Sequence, residues 1–117
     1  WREVLALVEE GVANPRDIDR ALQYSFCPRY TSIGIFEHFD NGGLELNRTT
    51  CKNLFPIISD TKTVPKCIDN LIAEGKTGAK AGEGFYNWRG VDMDAYRERV
   101  NAPYWKFCQW DLPKESM

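Results

Sequence analysis

Apolar and polar positions follow one another along this chain with the spacing of amphipathic helices, starting at its first residues. Apolar side chains recur there every three or four positions, with charged residues between them, at Trp1, Val4, Leu5 and Val8. This spacing places the apolar side chains on one face of a helix. Gly11 follows the pattern and predicts the end of the first helix.

The second and third helices are predicted from cap residues and breakers. Asn14 is a suitable N-cap, Pro15 suits the first helical position, and Asp17 suits the positive end of the helix dipole. Ser32 is the expected cap of the third helix, which should end at the tripeptide 41–43 (Asn-Gly-Gly).

Three further helices complete the pattern. The fourth is expected over Leu44–Leu54 because Pro56 would break it, and the fifth over Pro65–Gly75. Asp92 should cap the last helix, which Pro103 should interrupt. Four aromatic residues follow, as core packing or as an interaction surface: Tyr104, Trp105, Phe107 and Trp110. No convincing strand is present, so the prediction is an all-α fold of about six helices.

Length and composition favour a single soluble domain. A chain of 117 residues should bury about two-thirds of its unfolded surface around one core. A net charge of −2 argues against nucleic-acid and anionic-membrane partners. No apolar run approaches the roughly 18 residues of a membrane-spanning helix, and the first residues do not form a signal peptide. We therefore expect a cytoplasmic protein without membrane contact.

The four cysteines do not predict a metal site. Cys27, Cys51, Cys67 and Cys108 lack any Cys-x-x-Cys spacing, and the chain has one histidine. Zinc is therefore not expected. Their even number leaves disulfides open, although reduced thiols fit a cytosolic domain of this size better.

The richest candidate chemistry lies in the segment 75–88, which we call the glycine loop. It holds four glycines, two lysines and an aromatic end. It matches neither the Walker nor the dinucleotide template, because it follows a helix and not a strand. We expect its glycines to adopt unusual backbone angles and its aromatic residues Phe85 and Tyr86 to be buried. Lys80 is the better candidate of the two lysines, Lys76 and Lys80, to reach an anionic ligand group.

The lone histidine has a catalytic and a structural interpretation. Glu37 and Asp40 lie near His38 and would raise its pKa if they faced it. No serine or cysteine nucleophile stands at a diagnostic spacing, so the structural interpretation is preferred. Glu37 and Asp40 are expected to bond backbone or basic groups, and not to act as an acid–base pair.

Three stretches of the chain resemble the C-terminal domain of the L-3-hydroxyacyl-CoA dehydrogenase family. Residues 7–13 and 17–21 are similar to its paired "V-x-E-G-x-A" and "I-D-x-A" helices, and residues 34–45 to its Gly-Pro-Phe-Glu-x-x-Asp and Gly-Leu-Asp elements. Residues 78–86, with Gly78, Gly82, Gly84, Phe85 and Tyr86, resemble its closing Gly-x-Lys-Thr-Gly-x-Gly-Phe-Tyr signature. Ile35, His38 and Ala81 differ from the family pattern.

The resemblance implies a helical bundle like the 6-phosphogluconate dehydrogenase C-terminal domain, with a family-like core over 1–88 and a helical extension over 89–117. It further implies a homodimer whose N-terminal Rossmann domain, absent from this chain, binds NAD and carries the catalytic residues. This chain alone would then bind no cofactor and catalyse nothing, and would cover an acyl-CoA substrate of fatty acid metabolism.

Two alternatives remain open. Arg29-Tyr30 and the opening Trp1-Arg2-Glu3 look closer to relatives that act on short hydroxy acids or carnitine. A non-enzymatic helical interaction module is the other alternative.

Overall fold

A computed structural model of the protein describes residues 1–109. Trp110 of the aromatic segment and residues 111–117 of the predicted extension lie outside the described residues. The described part contains six α-helices: α1 (Arg2–Glu9), α2 (Pro15–Gln23), α3 (Ile35–Gly42), α4 (Leu44–Leu54), α5 (Lys66–Ala73) and α6 (Met93–Cys108). Two short 3₁₀ turns cover Cys27–Thr31 and Ala79–Ala81. Among residues 1–109 the only β-pairing is isolated bridges within the glycine loop, so the all-α prediction is confirmed.

Most helix ends lie at the residues predicted from N-cap side chains and terminating glycines. The Asn14 Oδ1 accepts a hydrogen bond from the Asp17 N–H at 3.0 Å, and the Asp92 carboxylate accepts two from the first turn of α6. α5 ends in the left-handed residue Gly75, with φ +74°, and the next N–H, of Lys76, bonds back to the helix at 2.8 Å. These groups satisfy backbone donors and acceptors that a helix end otherwise leaves without partners.

Two boundary predictions are wrong. Ser32 does not cap α3, because its Oγ donates to the Arg29 carbonyl at 3.1 Å and Gly34 is the residue before the helix. Pro103 does not interrupt the last helix, since α6 continues through it to Cys108. A proline removes one backbone hydrogen bond from a helix, and here the turns on both sides retain helical geometry.

The expected single core is also wrong in extent. Among the described residues only Leu5 and Ile18 are buried apolar side chains. The chain exposes 10212 Å², whereas a compact monomer of its 13.5 kDa exposes about 6,500 Å². Its radius of gyration is 18.2 Å, against about 13 Å for a compact domain. The helices are therefore formed, but much of their apolar surface lacks a cover.

The helices pack in pairs. α1 lies against α5, α3 against α4, and α2 against the first 3₁₀ turn. Two carboxylates of α1 tie it to distant backbone: Glu3 accepts from the Ser59 N–H and Glu9 from the Cys67 N–H, both at 2.9 Å. Within residues 1–109, no helix has both the length and the apolarity to cross a membrane.

Candidate functional site

The glycine loop closes on itself through backbone hydrogen bonds. The Gly78 N–H donates to the Glu83 carbonyl at 2.8 Å, and the Trp88 N–H donates to the Gly82 carbonyl at 2.9 Å. These bonds hold the segment after α5 as a defined turn that presents its side chains to α1 and α2.

Two glycines of the loop are required for different physical reasons. Gly78 has φ +112°, in the region that only glycine adopts without strain, which confirms the predicted unusual geometry. Gly84 does not have a positive φ, but a Cβ added to it would lie 2.9 Å from the Gly78 Cα. The close approach of the two backbone segments at this point therefore leaves no room for a side chain at position 84.

The two lysines of the loop have different surroundings. The Lys76 Nζ lies 2.9 Å from a Glu74 carboxylate oxygen and 3.3 Å from a Glu83 one, and hydrogen bonds to Glu74 and then Glu83 raise the pKa of Lys76. Lys76 is thus occupied within the loop. Lys80 is exposed on the Ala79–Ala81 turn, and no described residue forms an ion pair or hydrogen bond with its side chain. Lys80 is the lysine of the loop that remains available to a ligand.

The aromatic end of the loop is only partly covered, so the predicted burial is wrong. Phe85 is 36% exposed, and its ring meets Trp1 edge to face at 6.2 Å between centroids. Tyr86 is half-buried, and its hydroxyl donates to the Asp19 Oδ2 at 2.6 Å. That hydrogen bond first, and burial second, raise the pKa of Tyr86. The reason for the partial exposure is the small core, which is too shallow to cover these rings.

An apolar pocket of about 300 Å³ lies between α1, α2 and the glycine loop. Leu5 and Ile18, the two buried residues, line it together with Trp1 and Phe85. The polar side chains on its edge are Asp19 and Tyr86, which already bond each other. The pocket can therefore receive an apolar group, with one hydroxyl and one carboxylate at its margin.

A second and more polar pocket of about 380 Å³ shares Asp19, Tyr86 and Trp88 with the first. The Trp88 and Tyr96 rings meet at right angles there, with centroids 5.0 Å apart. The Arg99 guanidinium lies 5.4 Å from the Tyr96 ring centroid, an attractive cation–π distance. This pocket contains one acidic and one basic group, so it has no strong preference for either sign of ligand charge.

His38 and the neighbouring carboxylates lie elsewhere. The His38 ring contacts Tyr30 at 5.9 Å and Phe39 at 5.3 Å between centroids. Glu37 is half-buried and Asp40 exposed, and no described residue bonds either carboxylate. None of the three lines the pockets beside the glycine loop. His38 is thus part of an aromatic cluster, and the expected bonds of Glu37 and Asp40 to backbone or basic groups are not seen among residues 1–109.

The thiols do not build a metal centre. All four cysteines are unpaired in the structure. Residues 1–109 contain no group of three or more His, Cys, Asp and Glu side chains arranged to hold an ion.

Sequence reasoning missed the Asp19–Tyr86 hydrogen bond, which joins residues 67 positions apart. Asp19 and Tyr86 each lie in a stretch that resembles the same family, and this was the only feature of the sequence that connected them. Their hydrogen bond could not be predicted, because helical periodicity and cap residues give information only about neighbours within a few positions.

Comparison with known proteins finds a matching family and a solved structure with the same fold. A family model described as "3-hydroxyacyl-CoA dehydrogenase, C-terminal domain" matches residues 1–88. The crystal structure of an NAD+-dependent dismutase, 5-formyl-3-hydroxy-2-methylpyridine 4-carboxylic acid 5-dehydrogenase, has the same fold with a TM-score of 0.81. That similarity covers 92% of this chain and 36% of the other at 24% identity.

Curated relatives are dehydrogenases. The L-carnitine dehydrogenase/betainyl-CoA thioesterase of Ruegeria pomeroyi is 33% identical over 89 residues, which cover 70% of this chain and 18% of that protein. The L-carnitine dehydrogenase of Staphylococcus epidermidis is 29% identical over 97 residues, or 80% of this chain and 30% of that protein. A 5-formyl-3-hydroxy-2-methylpyridine 4-carboxylate 5-dehydrogenase of Mesorhizobium japonicum is 28% identical over 85 residues, or 73% and 28%.

The chain thus spans less than a third of the length of these curated relatives. The matched residues 1–88 nevertheless make up three-quarters of the chain itself, and they contain both halves of the Asp19–Tyr86 contact. The chain therefore belongs to the family of 3-hydroxyacyl-CoA dehydrogenase C-terminal domains, a family of oxidoreductases.

Proposed function

We propose that this chain is the substrate-covering and dimerisation domain of a longer, cytoplasmic NAD-dependent dehydrogenase of the 3-hydroxyacyl-CoA type. Residues 1–117 form one domain, with 1–88 as its core and 89–117 as a helical extension. The catalytic groups lie in a Rossmann domain outside this chain, and the domain by itself is inactive.

The observation that carries this proposal is the large exposed surface of the chain, which includes apolar side chains such as Trp1 and Phe36. The chain exposes 10212 Å², an excess of about 3,700 Å² over a compact monomer of its mass. One partner contributes about 800 Å² to a standard interface and roughly 1,000–2,500 Å² to an obligate one. A single interface does not account for the excess, whereas a Rossmann domain on one side and a second copy on the other do.

The residues present do not fit a nicotinamide cofactor. The glycine loop follows α5, whereas a dinucleotide loop connects a strand to a helix. Its Lys76 is held by two glutamates. In the longer protein, NAD would be held by the Rossmann domain outside this chain and would supply hydride transfer there.

The substrate is the finer part of the proposal. The family description favours a 3-hydroxyacyl-CoA, whereas the relatives named L-carnitine dehydrogenase favour a small hydroxy acid. Both substrates carry an anionic group, either phosphate or carboxylate. Lys80 is the exposed cation of the glycine loop that would meet it.

The test is an assay of the full-length protein for NAD reduction on 3-hydroxybutyryl-CoA, 3-hydroxybutyrate and L-carnitine. We expect turnover on one of them. Lys80→Ala should raise KM about 5-fold, the effect of losing roughly 1 kcal/mol from an exposed charge-assisted bond. Lys52→Ala, which removes an exposed lysine of α4, should leave KM unchanged.

Two results would contradict the proposal. A full-length protein without a Gly-x-Gly-x-x-Gly strand–helix unit before Trp1 and without NAD reduction on any of the three substrates would favour a non-enzymatic helical module. Equal KM values for Lys80→Ala and the wild type would remove Lys80 from the substrate site.

A further inference from the structure

The apolar pocket between α1, α2 and the glycine loop has walls that are rich in aromatic rings. Trp1, Phe85, Tyr86 and Trp88 all line it. The rings of Trp1 and Phe85 meet at 86°, with their centroids 6.2 Å apart, so they form two adjacent walls at right angles. At about 300 Å³ the pocket lies at the lower end of the range for ligand sites, a size that suits one compact chemical group.

The charge of the pocket has one sign. Among the described residues that line it, Asp19 is the one charged side chain. Its Oδ2 accepts the hydrogen bond from the Tyr86 hydroxyl, and no described residue bonds its Oδ1. Arg16 and Arg20 belong to the same helix as Asp19, but neither lines the pocket. Because the faces of aromatic rings also carry negative potential, the rings and the carboxylate favour the same kind of group, a cation.

In the neighbouring pocket the chain itself supplies such a cation. The Arg99 guanidinium lies 5.4 Å from the Tyr96 ring centroid there, and Arg99 lines that pocket. The apolar pocket shares Asp19, Tyr86 and Trp88 with it, but no basic side chain of the described residues lines the apolar pocket. Its aromatic walls are therefore left for a cation that comes from another molecule.

The chemistry of the walls also selects the kind of cation. A primary ammonium has three N–H donors, which are costly to bury without acceptors, and the one carboxylate here already bonds Tyr86. A quaternary ammonium has no N–H donor, and its methyl groups suit Leu5 and Ile18, the two buried side chains that line the pocket. An uncharged acyl group would displace water from the Asp19 carboxylate and would offer it no opposite charge.

We propose that this pocket binds the quaternary ammonium group of a small molecule, through its aromatic rings and the charge of Asp19. The inference deepens the proposed function and rests on it only for the source of that group. Lys80 directly follows Ala79, which lines the pocket, so an anionic group of the same molecule would meet a lysine at the pocket's edge. Among the substrates considered above, L-carnitine carries both groups.

The test compares two probes on the full-length protein by isothermal titration. One is choline, and the other is the neutral alcohol in which a carbon atom replaces the choline nitrogen. The wild type should prefer choline on the order of 10-fold, as expected for a partly desolvated cation–π site. Phe85→Leu removes a ring and keeps an apolar side chain, and Asp19→Asn removes the charge and keeps an acceptor for Tyr86. Each should reduce the preference about 5-fold.

The matched controls remove the same groups elsewhere. Phe55→Leu removes a ring that is 67% exposed, and Asp69→Asn removes an exposed carboxylate of α5. Neither residue lines the apolar pocket, so both variants should keep the wild-type preference. Circular dichroism should show the same helix content in all four variants.

NAD reduction on L-carnitine identifies the source of the ammonium group. If the group belongs to the substrate, Phe85→Leu should raise KM about 5-fold and leave kcat unchanged. An unchanged KM, together with a reduced preference for choline, would assign the pocket to a separate ammonium compound. Either result supports the pocket as an ammonium site.

The inference is overturned if the wild type binds choline no more tightly than the neutral alcohol, or does not bind choline at millimolar concentrations. It is also overturned if Phe85→Leu and Asp19→Asn retain the full preference that the two controls show. A preference for choline in a protein that reduces no NAD contradicts only the proposed enzyme. NAD reduction without any preference for choline contradicts only the ammonium site.

Discussion

Replacing Glu9 with alanine is expected to loosen the N terminus of α5. The Glu9 Oε1 accepts a hydrogen bond at 2.9 Å from the N–H of Cys67, 58 residues further along the chain. Cys67 is the second residue of α5, and Pro65, the residue before the helix, provides no side-chain cap. Glu9 therefore performs from α1 the role that a cap residue usually performs locally.

The size of the effect follows from that role. Loss of an N-cap side chain costs about 1 kcal/mol, and the contact is exposed, so the value for a buried charged bond does not apply. A local opening free energy that falls by about 1 kcal/mol corresponds to roughly 5-fold faster exchange of the Cys67 amide hydrogen. The same loss would weaken the packing of α1 on α5.

The assay is native-state hydrogen exchange at the Cys67 amide. Glu10→Ala is the matched control, since Glu10 is adjacent and exposed and no described residue bonds its carboxylate. Glu9→Gln retains a side-chain acceptor and should preserve most of the protection. Equal exchange in Glu9→Ala and Glu10→Ala would refute the cross-helix cap.

The Cys67 thiol gives a second readout of the same contact. Burial first, and the negative charge of Glu9 second, raise the pKa of the Cys67 thiol. Glu9→Gln removes the charge and keeps the acceptor, so alkylation of Cys67 at about pH 8 should become faster while the amide stays protected. An unchanged alkylation rate would show that Glu9 does not act on the thiol.

Two further predictions concern the glycine loop. Gly84→Ala should destabilise the domain by about 1–3 kcal/mol in urea unfolding, because the added Cβ would lie 2.9 Å from the Gly78 backbone. The control is Gly42→Ala, which adds a Cβ in open space on α3 and should be neutral or stabilising. Equal effects of the two substitutions would contradict the close approach of Gly84 to Gly78. The raised pKa of Tyr86 means that the folded state holds its proton more tightly, so this stabilisation is complete below about pH 10 and lost as pH rises through the raised pKa. Tyr86→Phe should make the stability less dependent on pH between about 9 and 11, and identical pH profiles would exclude the Asp19–Tyr86 bond as its cause.

The sequence allowed the residues of the candidate site to be predicted, but it did not allow their contacts with one another to be predicted. The glycine loop was identified from its composition, and Gly78 has the unusual geometry expected of it. Lys76 forms ion pairs with Glu74 and Glu83, and Lys80 does not. The spacing of residues along the chain does not show towards which lysine these two carboxylates point. Phe85 was expected to be buried because it is large and apolar, but hydrophobicity does not say whether enough neighbouring surface exists to cover it.

The sequence alone determined where the helices of this protein begin and end, wherever the cause lies within one turn. Asn14 and Gly75 act through hydrogen bonds to residues at most five positions away, and such bonds form whatever the rest of the chain does. Ser32 shows the limit even of local chemistry, because the same hydroxyl had a competing acceptor in the preceding turn. Only the tertiary structure decided that Glu9 caps a distant helix and that Tyr86 bonds Asp19, since those partners meet only after long loops close. It also decided that Phe36 of α3 and Leu46 of α4 are exposed, because the period of a helix shows which side chains share a face but not what that face meets.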